Sequence, residues 1–230
     1  MVFVVALAVW GLTTSSSSTS HGSPTRHRAG RSHATTPTIT EPMSNSSSTL
    51  SGSGPGALPQ TGAFPSSTSP QFRSRMGALF DGIKTNSLPT ALPAFFPEAA
   101  YLQLKTVGNP KMDYVDRLLL ELQLDIHAVH TLLGSAASSA HFVSVSVPAY
   151  QAQWVSAGQC LNSIGYFQVA GARLVYTTNS ATHSVGIASM ISWRGQWYVV
   201  HFGAISRDTQ TGVLLDPSSG TGSYGPPEGC

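Results

Sequence analysis

Apolar and polar positions change their period along this 230-residue chain. Residues 1–12 are apolar without a break, and residues 13–70 carry almost no large apolar side chain. Between Ser74 and Leu133 apolar residues recur every three or four, the period of a helix with one buried face. From His141 to Ile205 they alternate in twos, the period of strands. Helices followed by strands with short connections predict an α+β domain, its N-terminal helices packed on a curved antiparallel sheet of about five strands.

Met76, Leu79, Phe80 and Ile83 predict a short helix over 74–86. A second helix begins at Pro97, with Glu98 in the first turn where the helix dipole favours an acid, and stops near Val107 before Gly108-Asn109-Pro110. The longest begins at Pro110 or Asp113, with Asn109 or Asp113 as N-cap, and ends at Leu133 before Gly134. Its stripe is Val115, Leu119, Leu122, Ile126, Val129 and Leu133; Arg117, Glu121 and Asp125 read as a solvated charged row. Strands follow over 141–147, 164–169, 173–178, 184–192 and 196–205, with tight turns at Ala170-Gly171 and Asn179-Ser180. The last two form a hairpin about Arg194-Gly195. An unbroken register faces Ile191 with Tyr198 and Ser189 with Val200, and turns Met190, Trp197, Val199 and His201 to the opposite side.

Four regions result. Residues 1–12 match the apolar heart of a signal peptide or membrane anchor, too short to span a bilayer, which takes about 20 residues. No basic residue precedes them, so the expected true start is upstream and Met1 internal. Residues 13–70, about two-thirds Ser, Thr, Gly or Pro, form a solvated linker with a weak N-glycosylation pattern at Asn45-Ser46-Ser47. Residues 71–206 make the α+β domain, and 207–230 a C-terminal tail.

Charge changes the picture by being scarce. Charged residues are 10% of the chain and the net charge is +2, which leaves no basic footprint for nucleic acid. The two cysteines, Cys160 and Cys230, are too far apart for a zinc knuckle or redox pair. In an oxidising compartment they form a disulfide that ties down the tail; in a reducing one they are two unpaired thiols.

Candidate chemistry is thin. His127 and His130, three apart on the long helix, supply two ligands at most, so no metal site and no cofactor is expected. His201 stands beside Trp197 and, in the unbroken register, across from Ala188, where a small residue leaves room for a ligand. Trp197, His201, Met190 and Tyr166 are the candidate binding residues, and Trp197 with Met190 and Val199 the apolar wall for a ligand or partner. No Ser sits in a nucleophile elbow, and Gly220-Thr221-Gly222-Ser223 lacks the strand, helix and Lys of a phosphate loop.

At 95–105, at Cys160 through Gly165-Tyr166, and at 192–203 (SWRGQWYVVHFG) the chain resembles uncharacterised secreted or cell-envelope proteins of actinobacteria. The resemblance implies export and brings no activity. Helices before a curved sheet that ends in a Trp-rich strand also look like NTF2-like or cystatin-like folds. The NTF2-like analogy implies His201 or Asp125 as the residue that moves a proton. The expected function is an exported, non-enzymatic envelope protein that binds a partner protein or an apolar small molecule. The alternatives are an NTF2-like isomerase or hydrolase with His201 as base, and a component of a secretion or conjugation assembly. Membrane contact is expected only through the N-terminal segment.

Overall fold

The structure, a computed structural model, describes residues 54–227 and Gly229. The apolar run 1–12, most of the linker and Cys230 lie outside the described residues.

Helix α1 (Pro70–Thr85) starts where Ser69 Oγ accepts from Phe72 N and Pro70 sets the first turn, and ends at Asn86 in the left-handed conformation. It buries Phe72, Met76, Leu79, Phe80 and Ile83, the expected stripe with one turn added. After the short α2 (Leu88–Ala91), α3 (Glu98–Leu104) begins behind Pro97 and buries Tyr101 and Leu104. Then α4 (Pro110–Met112), a π segment (Asp113–Leu119) and α5 (Leu120–Leu133) run on as one long helix, helical φ/ψ holding at both junctions.

The π segment widens the turn by one residue and shifts the helix phase. Its core-facing residues are Tyr114 and Leu118, followed by Leu122, Ile126, Val129 and Leu133. Val115, expected on the stripe, is 44% exposed. The row Asp113, Arg117, Glu121 and Asp125, also in steps of four, therefore flanks the buried stripe. Glu121 and Asp125 are buried, which corrects the solvated row expected from spacing.

The described residues hold a six-stranded antiparallel sheet: β1 (His141–Ser146), β2 (Gln153–Val155), β3 (Tyr166–Thr178), β4 (Ala181–Trp193), β5 (Gln196–His201) and β6 (Ser218–Ser219). Its order is β1-β3-β4-β5, with β2 also on β3 and β6 also on β4. Asn179-Ser180 is the tight turn between β3 and β4, both residues at positive φ. Ala170-Gly171 is not a turn: β3 runs through it in unbroken register with β4. Gly171 instead takes φ +65, and its carbonyl accepts from Gly225 N of the tail.

One sheet face packs on the helices, with Ala172, Leu174 and Tyr176 of β3 beside Ile187 and Val185 of β4, and Tyr176 stacked on Phe80. Residues 54–69, which composition assigns to the linker, lie on the folded domain: Gly56 O accepts from Gln103 of α3 at 2.6 Å, and 59–66 run along the hairpin. Gln60 bonds Ser192 O and Arg194 N, and the Phe64 ring stands 4.9 Å from Phe167 and 6.4 Å from Trp197. Arg194 also donates to Pro59 O, and Ser66 N donates to Gly195 O at 3.4 Å, so side-chain and main-chain bonds to the turn add to the Phe64 packing. None of the helices among the described residues is long and apolar enough to cross a membrane.

Candidate functional site

The hairpin positions His201. Arg194 and Gly195, at φ +51 and +70, make the two-residue turn, and Ile191 pairs with Tyr198 as expected. The register then slips at Val200, so that His201 pairs with Ser189 instead of lying across from Ala188. Such a bulge adds one residue and re-aims the side chain that follows. His201 consequently shares the helix-facing side with Ser189, Ile191, Gln168 and Tyr166. Met190 and Trp197, expected beside it, are fully buried on the opposite side of the sheet, Trp197 beneath Phe64. The four residues proposed as one binding surface thus divide into two pairs on opposite faces.

Beneath the helix-facing side lies an inner cavity of about 100 Å³, lined by Tyr101, Lys105, Arg117, Tyr166, Gln168 and His201 among others. A charged cluster adjoins it through His201 and Arg117. Asp125, with no exposed surface, accepts Gly203 N and Val213 N at 2.8 Å each and a bidentate Arg207 at 2.9 and 3.0 Å. One buried carboxylate so ties the long helix to the 203–213 loop. Holding Asp125 in this way keeps the Arg207 guanidinium charged, its pKa raised against the opposing effect of burial. One helical turn away, Glu121 stands 3.6 Å from His201 Nδ1, 3.8 Å from Arg207 Nε and 3.9 Å from Arg117 Nη1. These are ion-pair distances beyond hydrogen-bond reach, and Glu121 Oε2, His201 Nδ1 and Arg207 Nε are buried without a hydrogen-bond partner.

Arg117 spends one edge of its guanidinium on Asp113, with two bonds of 2.7 Å, while the Tyr101 hydroxyl donates to the same carboxylate. The bonds from Arg117, joined by that from Tyr101, hold the Asp113 carboxyl below its usual range against burial. Burial first and the Asp113 bond second push the Tyr101 phenol up; burial alone takes Tyr166 to about 12. Lys105 bonds the Cys160 carbonyl at 2.9 Å and stands 5.9 Å over the Tyr166 ring. Burial, then nearby Arg117, lowers its pKa.

The opposite side carries a larger outer cavity of about 580 Å³. Gly171, Gly186, Ala188 and Gly203 line it with little more than backbone, and Val213, Leu215, Tyr224 and Pro226 wall it from the loop and tail. At its rim Arg173 reaches Asp216 Oδ2 at 2.8 Å and Ser184 Oγ at 2.7 Å, while its Nε is buried without a partner. Ile205 lines both cavities.

His127 and His130 turn to α1 and its C-cap: Asn86 donates to His127 Nδ1, and His130 Nδ1 donates to Ile83 O. No cluster of three metal-ligating side chains occurs among the described residues. Sequence reasoning missed Lys105, Arg173, Arg207 and the burial of Glu121 and Asp125. A signal existed for the acids: in a chain with 22 charged residues, a helix row of four at one spacing is a concentration. None existed for Arg207, which lies beyond the last predicted strand. No family model, curated protein or solved structure matches the chain.

Proposed function

We propose that the chain is the ligand-binding domain of an exported, non-enzymatic envelope protein, of NTF2-like or cystatin-like architecture, which takes a mostly apolar small molecule into its outer cavity. One observation carries the reading: a cavity of about 580 Å³ floored by three glycines and an alanine. That volume falls in the range of small-molecule sites, roughly 300–1,000 Å³, and an apolar lining with a few polar groups is their usual chemistry. Arg173 lines the cavity beside Asp216 and sets a charged group at one wall, so a mostly apolar molecule with a polar end fits best.

Export goes with the proposed Cys160–Cys230 disulfide. Gly229, the residue before Cys230, lines the inner cavity beside Lys105, whose ammonium holds the Cys160 carbonyl. This nearness supports the pairing.

The test is titration with the neutral apolar fluorophore N-phenyl-1-naphthylamine. Wild-type protein should bind it saturably at one site, and Ala188→Trp, which fills the cavity from its floor, should bind it at least about tenfold more weakly with unchanged thermal stability. Equal binding by a folded Ala188→Trp would sink the reading.

A further inference from the structure

Beneath the helix-facing side of the sheet the charges do not pair off evenly. Asp113 neutralises Arg117, and Asp125 neutralises Arg207. Glu121 is shared at 3.6–3.9 Å among His201, Arg117 and Arg207. Lys105 forms no ion pair among the described residues. Its ammonium has three donors and gives one to Cys160 O, while Arg117 Nη1 makes no hydrogen bond among the described residues and stands 3.9 Å from Glu121. A half-buried lysine with no carboxylate partner among the described residues, and an arginine whose Nη1 stands at that distance from Glu121 on a 40% exposed side chain, give the cavity two cationic donors within reach of an entering anion. Both side chains line the cavity, with Tyr166, Gln168 and Ser189 as further polar groups.

We propose that the inner cavity is a binding site for a small carboxylate, held by Lys105 Nζ and Arg117 Nη1 and taken up together with a proton on His201. Size sets the class of ligand: a cavity of about 100 Å³ has room for roughly three waters, hence for a molecule of about four heavy atoms such as acetate. Charge sets the coupling. Among the described residues Lys105, Arg117 and Arg207 balance Asp113, Glu121 and Asp125, so an anion arriving while His201 is neutral leaves this set with one uncompensated negative charge. A proton on His201 restores neutrality and supplies Nδ1–H to the unpartnered Glu121 Oε2, 3.6 Å away. The groups set around the imidazole are Glu121 and Arg117 of the long helix, Tyr101 and Lys105 of α3 and its end, Tyr166 of β3 and Arg207 of the loop. Glu121, the one acid among them without a bidentate partner, is the group a charged imidazole would engage. This site is separate from the outer cavity and does not depend on a ligand there.

The probe is acetate, titrated into the full chain at constant ionic strength and followed by amide NMR, with chloride as control. Saturable shifts at Gln168, Ser189 and His201 are expected. Affinity at pH 5.5 should exceed that at pH 8 by at least about tenfold, the span over which histidine takes up a proton. Lys105→Met should weaken binding by about tenfold or more, the loss of one charge-assisted bond, while His201→Gln should abolish the pH dependence. If Lys105→Met does not fold, the Lys105 ammonium of the wild type is read directly: saturating acetate should raise its pKa. Ala188→Trp, confined to the outer cavity, should leave acetate binding unchanged, so failure there and failure here are told apart. Shifts that grow linearly, match chloride, persist in folded Lys105→Met or ignore pH would overturn the proposal.

Discussion

Replacing Asp125 by Ala strands more buried hydrogen-bonding groups than any other single truncation of a charged side chain described above. The carboxylate has no exposed surface and receives four hydrogen bonds: two from Arg207, whose side chain is 5% exposed, and one each from Gly203 N and Val213 N. Removing one member of a buried ion pair costs about 3–5 kcal/mol, and each buried donor left without a partner about 1–3 kcal/mol. These penalties overlap, because water entering the vacated space serves several donors at once. About 4 kcal/mol is therefore expected, a large part of the roughly 5–15 kcal/mol that holds a domain together. Urea unfolding followed by tryptophan fluorescence reads it well, since Trp193 and Trp197 are fully buried. A loss under about 1 kcal/mol at unchanged m-value would refute the reasoning. The double variant Asp125→Leu/Arg207→Leu separates charge from shape. It removes both members of the bidentate pair, leaves Glu121 with Arg117 and His201 as neighbours, and should cost less than Asp125→Leu alone, the remainder being the two main-chain donors and the cation lost to Glu121. A double variant as unstable as the single would show that Arg207 is not what Asp125 compensates.

Four further outcomes follow from the same geometry. The π segment predicts that Leu122→Ala costs about 2–5 kcal/mol and Val115→Ala under about 0.5 kcal/mol, checked by the same unfolding curves. Because the folded-state pKa of Asp113 is depressed, its stabilisation is present above the unfolded-state value of about 4 and is lost as pH falls through the folded one; Asp113→Asn should flatten the acid limb of a stability-versus-pH curve. Tyr166 is pushed up to about 12, so the stability linked to it is intact below the unfolded value of about 10 and is lost as pH rises toward 12; phenolate absorbance should lag that of free tyrosine over this window. If Cys160 and Cys230 are joined, intact mass after expression in an oxidising compartment should rise by two protons on reduction, and unfolding should shift by roughly 4 kcal/mol.

The hydrophobic period alone determined the class of this protein, its helix stripes and most of its hairpin. Met76, Leu79, Phe80 and Ile83 can be buried together only on a helix, and Ile191 can face Tyr198 only across a two-residue turn. Those are local facts, set by backbone geometry and by which side chains water excludes. What the period could not carry was phase. One widened helical segment turned Val115 out and Tyr114 and Leu118 in, with Leu119 half-buried at the edge of the core, and one extra residue at Val200 moved His201 from the side of Trp197 to that of Ser189. Both irregularities are decided by packing, since the chain adopts whichever local winding best closes the contact between helix and sheet. Burial of the charged row is decided in the same way. Glu121 and Asp125 look like solvent-facing residues until Gly203, Arg207 and Val213, about 80 to 90 residues further along, fold over them. A carboxylate can be buried only when distant donors arrive to replace water, and no window of local sequence contains them.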